Sequence, residues 1–298
     1  MADTDTHVAR PNVRPATRDR VLTAIEELGY RPDVVGRQLR GGRTHTLTLV
    51  VPDIVNPYFA VLVDATFAAA AERGYAVFVE QAGQRRGDER HAADSLQRVA
   101  FDGVVFSPTF ATRSELESLA ERMPVVLLGE STGDTPLDVV RIDNVAAAHD
   151  VTAHVLAQGR TAPGFVGATT DIAPEPAAVS NFTQQQGAEA ARRLLAAGPE
   201  IDALVCADDL LAIGVMAGLR RMGVRVPDDV AVTGWDNVPD GAYLHPTLTT
   251  LEPHADRIAA AAVARLADRI DGACPPAEHV VVPHEVVVRE SSTRLDRP

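Results

Sequence analysis

The sequence contains no lysine, only two cysteines and few aromatic residues, which make up 4% of its 298 residues. Cys206 and Cys274 are too few for a disulfide framework or a zinc site, so we expect a reduced protein. No apolar run reaches the roughly 18–20 residues that a membrane helix needs. Residues Met1 to Ala9 lack the apolar core of a secretory signal. We therefore expect a cytoplasmic protein with no membrane partner.

The charge is distributed unevenly along the chain, whose net charge is −13. Residues 1–46 hold eight arginines and six acidic residues, whereas the remainder of the chain is strongly acidic. A small basic segment ahead of an acidic body is typical of a protein in which only that segment meets an anionic partner. Chance in a short window is the alternative explanation.

Short apolar runs alternate with stretches of helical periodicity from Thr46 onward. This alternation predicts parallel α/β units, and its restart at Asn144 predicts two lobes with a cleft between them. Ligands of such sheets bind beyond the carboxyl ends of strands, so the loops after Val51, Cys206 and Gly234 are candidate binding loops. The predicted strands are Thr46–Val51, Tyr75–Glu80, Gly103–Phe106, Val125–Leu128, Gly164–Gly167, Ala203–Cys206, Val230–Gly234 and the extended Val280–Val288. The predicted helices are Tyr58–Arg73, Asp88–Val99, Arg113–Glu121, Asn144–Gln158, Gln184–Ala197, Leu210–Met222 and Arg257–Asp271.

One segment of the second lobe, Ala168–Thr183, has no periodicity. If the second lobe repeated the pattern of the first, this segment would hold a strand and a helix. We therefore expect the second lobe to be shorter by one strand–helix step.

The basic segment begins with a helical pattern over Pro15–Tyr30 that ends at Gly29. Arg31-Pro32 cannot continue this helix. Asp33–Leu39 then has the pattern of two short turns before a flexible basic joint at Arg40–Arg43.

These segments, in this order, resemble bacterial regulators of the LacI/GalR family. The run NVRPATRDRVLTAIEELGYRPDVVGRQLRGGRTHTLTLVVPDIVNPYF is similar to the last helix of the family's DNA-binding head, its hinge helix and the first strand of its effector core. Further matches follow in family order across nearly the whole chain: ADDLLAIG, RVPDDVAVTGWDN, HPTLTTL and VVVRESS. Together they are far more specific than any one of them alone.

The resemblance implies a domain organisation with a periplasmic-binding-protein-like core of two Rossmann-like lobes. Residues 1–30 correspond to a remnant of the helix-turn-helix head, 31–45 to the hinge and 46–298 to the effector-binding and dimerisation core. Lobe 1 is expected at about 46–144 and 250–271, and lobe 2 at about 145–249 and 272–298.

The resemblance also implies a homodimer that binds a pseudo-palindromic operator as a repressor. Leu39 matches the hinge leucine that wedges into the minor groove, and Arg37, Arg40 and Arg43 are expected to contact phosphates. An ordinary core or dimer-contact leucine is the alternative for Leu39. Only fourteen residues precede Pro15, so the base-reading helix of the family has no counterpart in the sequence as written. A start further upstream, a degenerate gene and a loss of specific DNA binding each explain this.

The family's sugar-like effector binds between the lobes, and the resemblance assigns it five residues here. Tyr58 and Phe59 match aromatic cleft positions, and helix-start packing is their alternative role. Trp235 offers a flat apolar face beside Asp236, which matches an acid that binds hydroxyls or, alternatively, forms a turn. Asp208 stands where the family typically has asparagine.

Helix capping is the alternative for the acid pair Asp208-Asp209, and Asp209 is the stronger capping candidate ahead of Leu210. The family's ligand-clamping arginine belongs to the step that Ala168–Thr183 lacks, and this segment contains no arginine. We therefore expect the core to fold but to bind its sugar weakly or not at all.

Enzyme signatures are poor. Gly129–Gly133 matches G-x-S-x-G, but a nucleophile elbow must lead into a helix and this run leads into another extended stretch. No nucleotide-binding motif occurs, and no cofactor is expected. Histidine pairs five residues apart do not share a helix face, so no metal site is expected either. The competing function is a sugar-binding or dimerising module that has lost specific DNA binding.

Overall fold

The structure, a computed structural model, describes residues 43–83, 86–96, 100–129, 135–168, 178–179, 182–196, 200–273 and 276–293, with isolated positions between 14 and 24. The chain forms two compact units, Met1–Thr44 and His45–Pro298. In the first unit, the described residues between 16 and 24 are helical, in agreement with the predicted helix Pro15–Tyr30. The rest of that helix and the hinge segment Asp33–Leu39 lie outside the described residues.

The second unit alternates strands and helices as predicted. Its helices are α1 Pro57–Ala71, α2 Arg86–Ser95, α3 Arg113–Ala120, α4 Asn144–Ala157, α5 Gln184–Ala196, α6 Asp209–Arg221 and α7 Ala255–Ile270. Its strands are β1 Thr46–Val51, β2 Ala76–Gln81, β3 Gly103–Phe106, β4 Val125–Leu128, β5 Asp138–Ile142, β6 Pro163–Ala168, β7 Ala178–Val179, β8 Ala203–Cys206, β9 Ala231–Thr233, β10 Thr250–Glu252, β11 His279–Val282 and β12 Glu285–Val287.

Local side-chain chemistry sets several of these boundaries. The side chain of Asn56 accepts a hydrogen bond from the Tyr58 N–H, and Pro57 follows at the first helical position, so α1 starts there. Thr112 and Glu115 form a reciprocal capping box at the start of α3. These signals are local, so the sequence predicted these helices closely.

The first lobe is a six-stranded parallel sheet with the order β11-β5-β4-β3-β1-β2. Strands β1, β3 and β4 are buried nearly throughout, as expected for continuous apolar runs covered on both faces. Helix α7 packs on this sheet and against α1.

Strand β11 corrects the predicted lobe boundary. We expected residues 272–298 in the second lobe, but β11 pairs with β5 in the first sheet, with His279 opposite Val139. The predicted extended segment Val280–Val288 is not continuous, because it is interrupted at Pro283. The part after the interruption, β12, pairs antiparallel with β10. Which sheet an apolar strand joins depends on distant partners and not on its own pattern.

The second lobe is a smaller parallel sheet with the order β7-β6-β8-β9 among the described strands. The expectation that Ala168–Thr183 lacks a strand is wrong at β7, which pairs with the end of β6. Strand β7 is only two residues long. It forms although the side-chain pattern is irregular, because the backbone edge of β6 supplies its hydrogen-bonding partners. The remainder of that segment up to residue 181 lies outside the described residues.

Strands β10 and β12 form a ribbon where the chain passes between the lobes. The Gly234 N–H donates to the Thr249 carbonyl oxygen and the Asp236 N–H to that of Leu251, so the end of β9 runs along β10. One buried cluster continues from the first sheet through Leu251 to Ala203 and Val205 of the second. No helix in the described part of the chain is long and apolar enough to cross a membrane.

Candidate effector cleft

A cavity of about 340 Å³ lies where the loops after β1, β8 and β9 meet. This volume suits a small ligand and lies at the strand ends where parallel sheets bind ligands. All five predicted ligand residues line it together with others from both lobes. The described lining comprises Pro52, Asp53, Asn56, Tyr58, Phe59, Thr109, Phe110, Phe182, Ala207, Asp208, Trp235 and Asp236.

Two larger grooves, of about 680 and 580 Å³, flank α6 on the second lobe. Neither has a phenylalanine, tyrosine or tryptophan among its described lining residues. The smaller cavity combines aromatic faces with convergent polar groups, so it is the candidate site despite its size.

The first lobe contributes an aromatic pair at the start of α1. The rings of Tyr58 and Phe59 meet edge to face with centroids 5.2 Å apart. Both also pack against the buried core, so the two roles predicted for them, helix-start packing and cleft lining, occur together. Burial and the nearby carboxylates of Asp236 and Glu252 raise the pKa of the Tyr58 phenol, which stays protonated.

The second lobe contributes Asp208, which is 5% exposed and caps α6 by accepting the Leu211 N–H at 2.7 Å. Asn56 of the first lobe reaches its other oxygen, with Nδ2 to Oδ2 at 3.4 Å. Asp208 therefore joins the two lobes across the cavity. Burial raises its pKa to about 6, against the hydrogen bonds from Leu211 and Asn56, which lower it.

The capping alternative for Asp209 is wrong, because Asp208 is the N-cap of α6 and Asp209 is the first residue of the helix. It is fully buried and accepts hydrogen bonds from the Thr250 hydroxyl at 2.6 Å and the Val238 N–H at 2.8 Å. Burial raises its pKa to about 7. Asp209 thus ties α6 to strand β10 of the ribbon.

Asp236 adopts a left-handed backbone conformation, with φ of +106°, and Asn237 follows with φ of +49°. Asp and Asn tolerate such values better than most residues, and strain of this kind concentrates at functional sites. The predicted turn is therefore present, and the Asp236 side chain also lines the cavity. Burial raises the pKa of Asp236 well above its ordinary value, as do the charges of Asp209, Asp208 and Glu252.

Sequence reasoning missed several residues of the cleft. Asp53 and Asn56 lie in the loop after Val51, which the strand-end rule had indicated without naming them. Thr109 and Phe110 follow β3 and are held by Glu89, which is 2% exposed and accepts their N–H groups at 2.6 and 2.9 Å. Phe182 lies in the irregular segment, and no signal in the sequence pointed to it.

The residues predicted to contact DNA are not tested by the structure. Leu39, Arg37 and Arg40 lie outside the described residues, and Arg43 is exposed. Residues 130–133 of the G-x-S-x-G match also lie outside them.

Within each pair of histidines five residues apart, His149/His154 and His279/His284, the two rings have different partners, but His149 and His284 share the Asp150 carboxylate. His149 Nδ1 and His284 Nε2 lie 3.1 and 3.0 Å from the Asp150 carboxylate, and His154 Nε2 lies 2.7 Å from the Ser292 hydroxyl. The His279 ring lies 3.3 Å from the Thr135 carbonyl oxygen.

Two parallel α/β lobes with a ligand-sized cavity at their strand ends define the class of periplasmic-binding-protein-like folds. Residues 44–178 match the family of periplasmic binding proteins and sugar binding domain of the LacI family. Residues 145–292 match the periplasmic binding protein-like domain.

Known proteins resemble nearly the whole chain. The HTH-type transcriptional repressor CytR of Escherichia coli K12 is 26% identical over 95% of this chain and 89% of its own. A solved putative transcriptional regulator of the LacI family from Sanguibacter keddieii is 33% identical, covers 84% of this chain and 99% of its own, and has a TM-score of 0.75. A LacI family transcriptional regulator from Arthrobacter sp. FB24, solved in complex with lactose, is 26% identical, covers 83% and 99%, and has a TM-score of 0.73. The chain belongs to the LacI family of transcriptional regulators.

Proposed function

We propose that this chain is a LacI-type DNA-binding transcriptional repressor whose operator affinity is controlled by a small sugar-like effector. The proposed control by an effector rests on the cavity between the lobes. Tyr58 and Phe59 of one lobe and Asp208 and Asp236 of the other line this cavity. A ligand that contacts both lobes favours one lobe arrangement over another. The lactose complex of the Arthrobacter relative supports a sugar-like ligand.

The ribbon of β10 and β12 offers a route by which the cleft influences the rest of the core. Asp209 joins the α6 end of the cleft to Thr250 on β10, and Asn237 donates to Glu252 on the same strand at 2.7 Å. A shift of the second lobe on ligand binding therefore moves the ribbon. In a homodimer acting in the cytoplasm, this movement would change the spacing of the two hinge segments and therefore the affinity for the operator. Effector binding and operator binding would then be linked by a coupling free energy.

On the DNA side, the basic stretch Arg31–Arg43 and the match to the repressor CytR support the proposal. Leu39 would enter the minor groove, and Arg37, Arg40 and Arg43 would contact phosphates.

Fluorescence anisotropy of the purified chain on duplexes from upstream of its own gene tests this function. We expect tighter binding than to a scrambled duplex, a steep salt dependence, and a change of affinity when effector is added. Leu39→Ala should remove the difference between duplexes, whereas Asp268→Asn, at an exposed position of α7, should leave it intact. Equal weak binding to both duplexes would instead favour a sugar-binding or dimerising module without specific DNA binding.

A further inference from the structure

The described lining of the effector cleft contains acidic residues but no basic ones. Asp53, Asp208 and Asp236 line the cavity, and no arginine or histidine is among its described lining residues. Asp209 and Glu252 lie close enough to raise the pKa of Asp236. Carboxylates that lie near one another in a partly buried cavity, such as Asp208 and Asp236, repel each other unless a cation balances their charge.

The nearby cation Arg289 is not among the described lining residues of the cavity, and its charge acts on Asp209, whose pKa it lowers. Arg289 donates at 2.7 Å both to the Leu248 carbonyl oxygen and to the Asn237 side chain. In the segment 168–183, where the family resemblance places a clamping arginine, the sequence has no arginine, lysine or histidine. Among the described residues, the Asp236 carboxylate therefore faces the cavity without a cationic partner.

Aromatic rings make up much of the remaining wall. Tyr58, Phe59 and Trp235 are half-buried and line the cavity with the acids, and Phe110 and Phe182, each 39% exposed, complete the aromatic lining. Aromatic faces pack against the apolar face of a sugar ring, and they also attract cations. The same wall thus suits a ring-shaped ligand that carries positive charge.

We propose that the effector is a protonated amino sugar, whose ammonium group binds Asp236 and Asp208 in the place that an arginine would fill. This proposal rests on the function proposed above and specifies its ligand class. A neutral sugar would leave the carboxylates buried without a compensating charge, and an ionised carboxylate accepts hydrogen bonds but donates none. A phosphorylated or acidic sugar would add repulsion. An ammonium donates three hydrogen bonds and balances the charge.

Isothermal titration calorimetry of the full chain tests the ligand class with matched sugars at about pH 6.5, where an amine is protonated. The probes are D-glucosamine against D-glucose and N-acetyl-D-glucosamine, and D-galactosamine against D-galactose. In at least one set we expect the amine to bind about tenfold more tightly than its neutral counterparts, the effect of one charge-assisted contact.

Two variants locate the effect. Asp236→Asn should weaken binding of the amine by about tenfold or more and change binding of the neutral sugar by less than about threefold. Asp268→Asn removes one exposed carboxylate outside the described lining of the cavity and should change neither. Circular dichroism melts of both variants show whether each is folded.

The proposal is overturned if neutral sugars bind as tightly as the amines, or if none of the five probes binds. Tight neutral-sugar binding that Asp236→Asn abolishes would refute the amine preference while leaving the proposed effector cleft in place. Amine binding that leaves DNA affinity unchanged would support the ligand class and refute the regulatory function.

Discussion

The two lobes contribute different chemistry to the cleft. The first lobe supplies the aromatic pair Tyr58 and Phe59 on the rigid start of α1. The second supplies Asp208 and Asp236, both with raised pKa values, at the ends of β8 and β9. The first lobe thus contributes mainly packing against a ring and the second mainly charged groups, although Asp53 of the first lobe and Trp235 of the second also line the cavity. Neither lobe alone forms the cavity, so ligand binding is sensitive to how the lobes are arranged.

The lobes also differ in how they are held together. The first lobe contains a buried carboxylate joined to two arginines, whereas the second depends on the close approach of two helices through glycine. A buried ion-pair cluster tolerates changes in side-chain volume but not the loss of a charge. Closely packed helices tolerate the loss of a charge but not an added side-chain atom at the contact. Substitutions in each lobe test this contrast.

The largest effect is expected for Asp138→Asn in the first lobe. Asp138 is 2% exposed and accepts hydrogen bonds from Arg265 at 2.5 Å, Arg269 at 2.7 Å and the Glu278 N–H at 2.9 Å. Burial raises the pKa of this carboxyl, but the hydrogen bonds from Arg269 and Arg265 outweigh it and the pKa is lowered overall. Loss of the charge removes the shared partner of two partly buried guanidinium groups, of which Arg265 keeps an ion pair with Glu278 at 3.0 Å, and should lower the free energy of unfolding by about 2–4 kcal/mol. Urea denaturation measures this, and a loss below about 0.5 kcal/mol would show that the cluster is not essential.

A somewhat smaller effect is expected for Gly214→Ala in the second lobe. A Cβ at Gly214 of α6 would lie 2.0 Å from the Gln184 carbonyl oxygen of α5, so the helices must separate. We expect a loss of about 1–3 kcal/mol by denaturation. Gly87→Ala in α2 is the matched control, because no atom lies within 4 Å of its Cβ position. It should stabilise the protein by about 0.5–1 kcal/mol. Equal effects of the two substitutions would contradict the packing argument.

The smallest effect concerns pH and Asp209, whose pKa is raised by burial to about 7. Because the folded protein binds this proton more tightly than the unfolded chain, the contribution to stability is present below about pH 4 and is lost as the pH rises toward 7. Asp209→Asn removes this titration. When the pH is raised from about 5 to 7.5, the melting temperature of the variant should therefore fall by about 3 °C less than that of the parent chain. Differential scanning calorimetry at both pH values measures this difference, with the exposed Asp268→Asn as control. Parallel shifts in all three proteins would exclude Asp209 as the titrating group.

Much of the fold was predictable because its signals are local. The strands Gly103–Phe106, Val125–Leu128 and Ala203–Cys206 are confirmed to the residue, since apolar runs between turn residues mark buried parallel strands. The two-lobed α/β fold is confirmed, and the family follows from motifs spread along the chain. The sequence alone indicates Asp208 and Asp236, because each lies just beyond a predicted strand and matches a family position.

Other features required tertiary structure. No property of His279–Val282 itself places it beside β5 in the first sheet, because its pairing partner is far away in sequence. Asp208 and Asp209 are adjacent and chemically identical, yet one caps α6 and the other is buried against Thr250. The cavity charge is also a collective property, since it arises where strand ends from both lobes meet. Residue patterns therefore determined the elements and the family, whereas long-range pairing and burial decided sheet membership, the roles of adjacent acids and the electrostatics of the cleft.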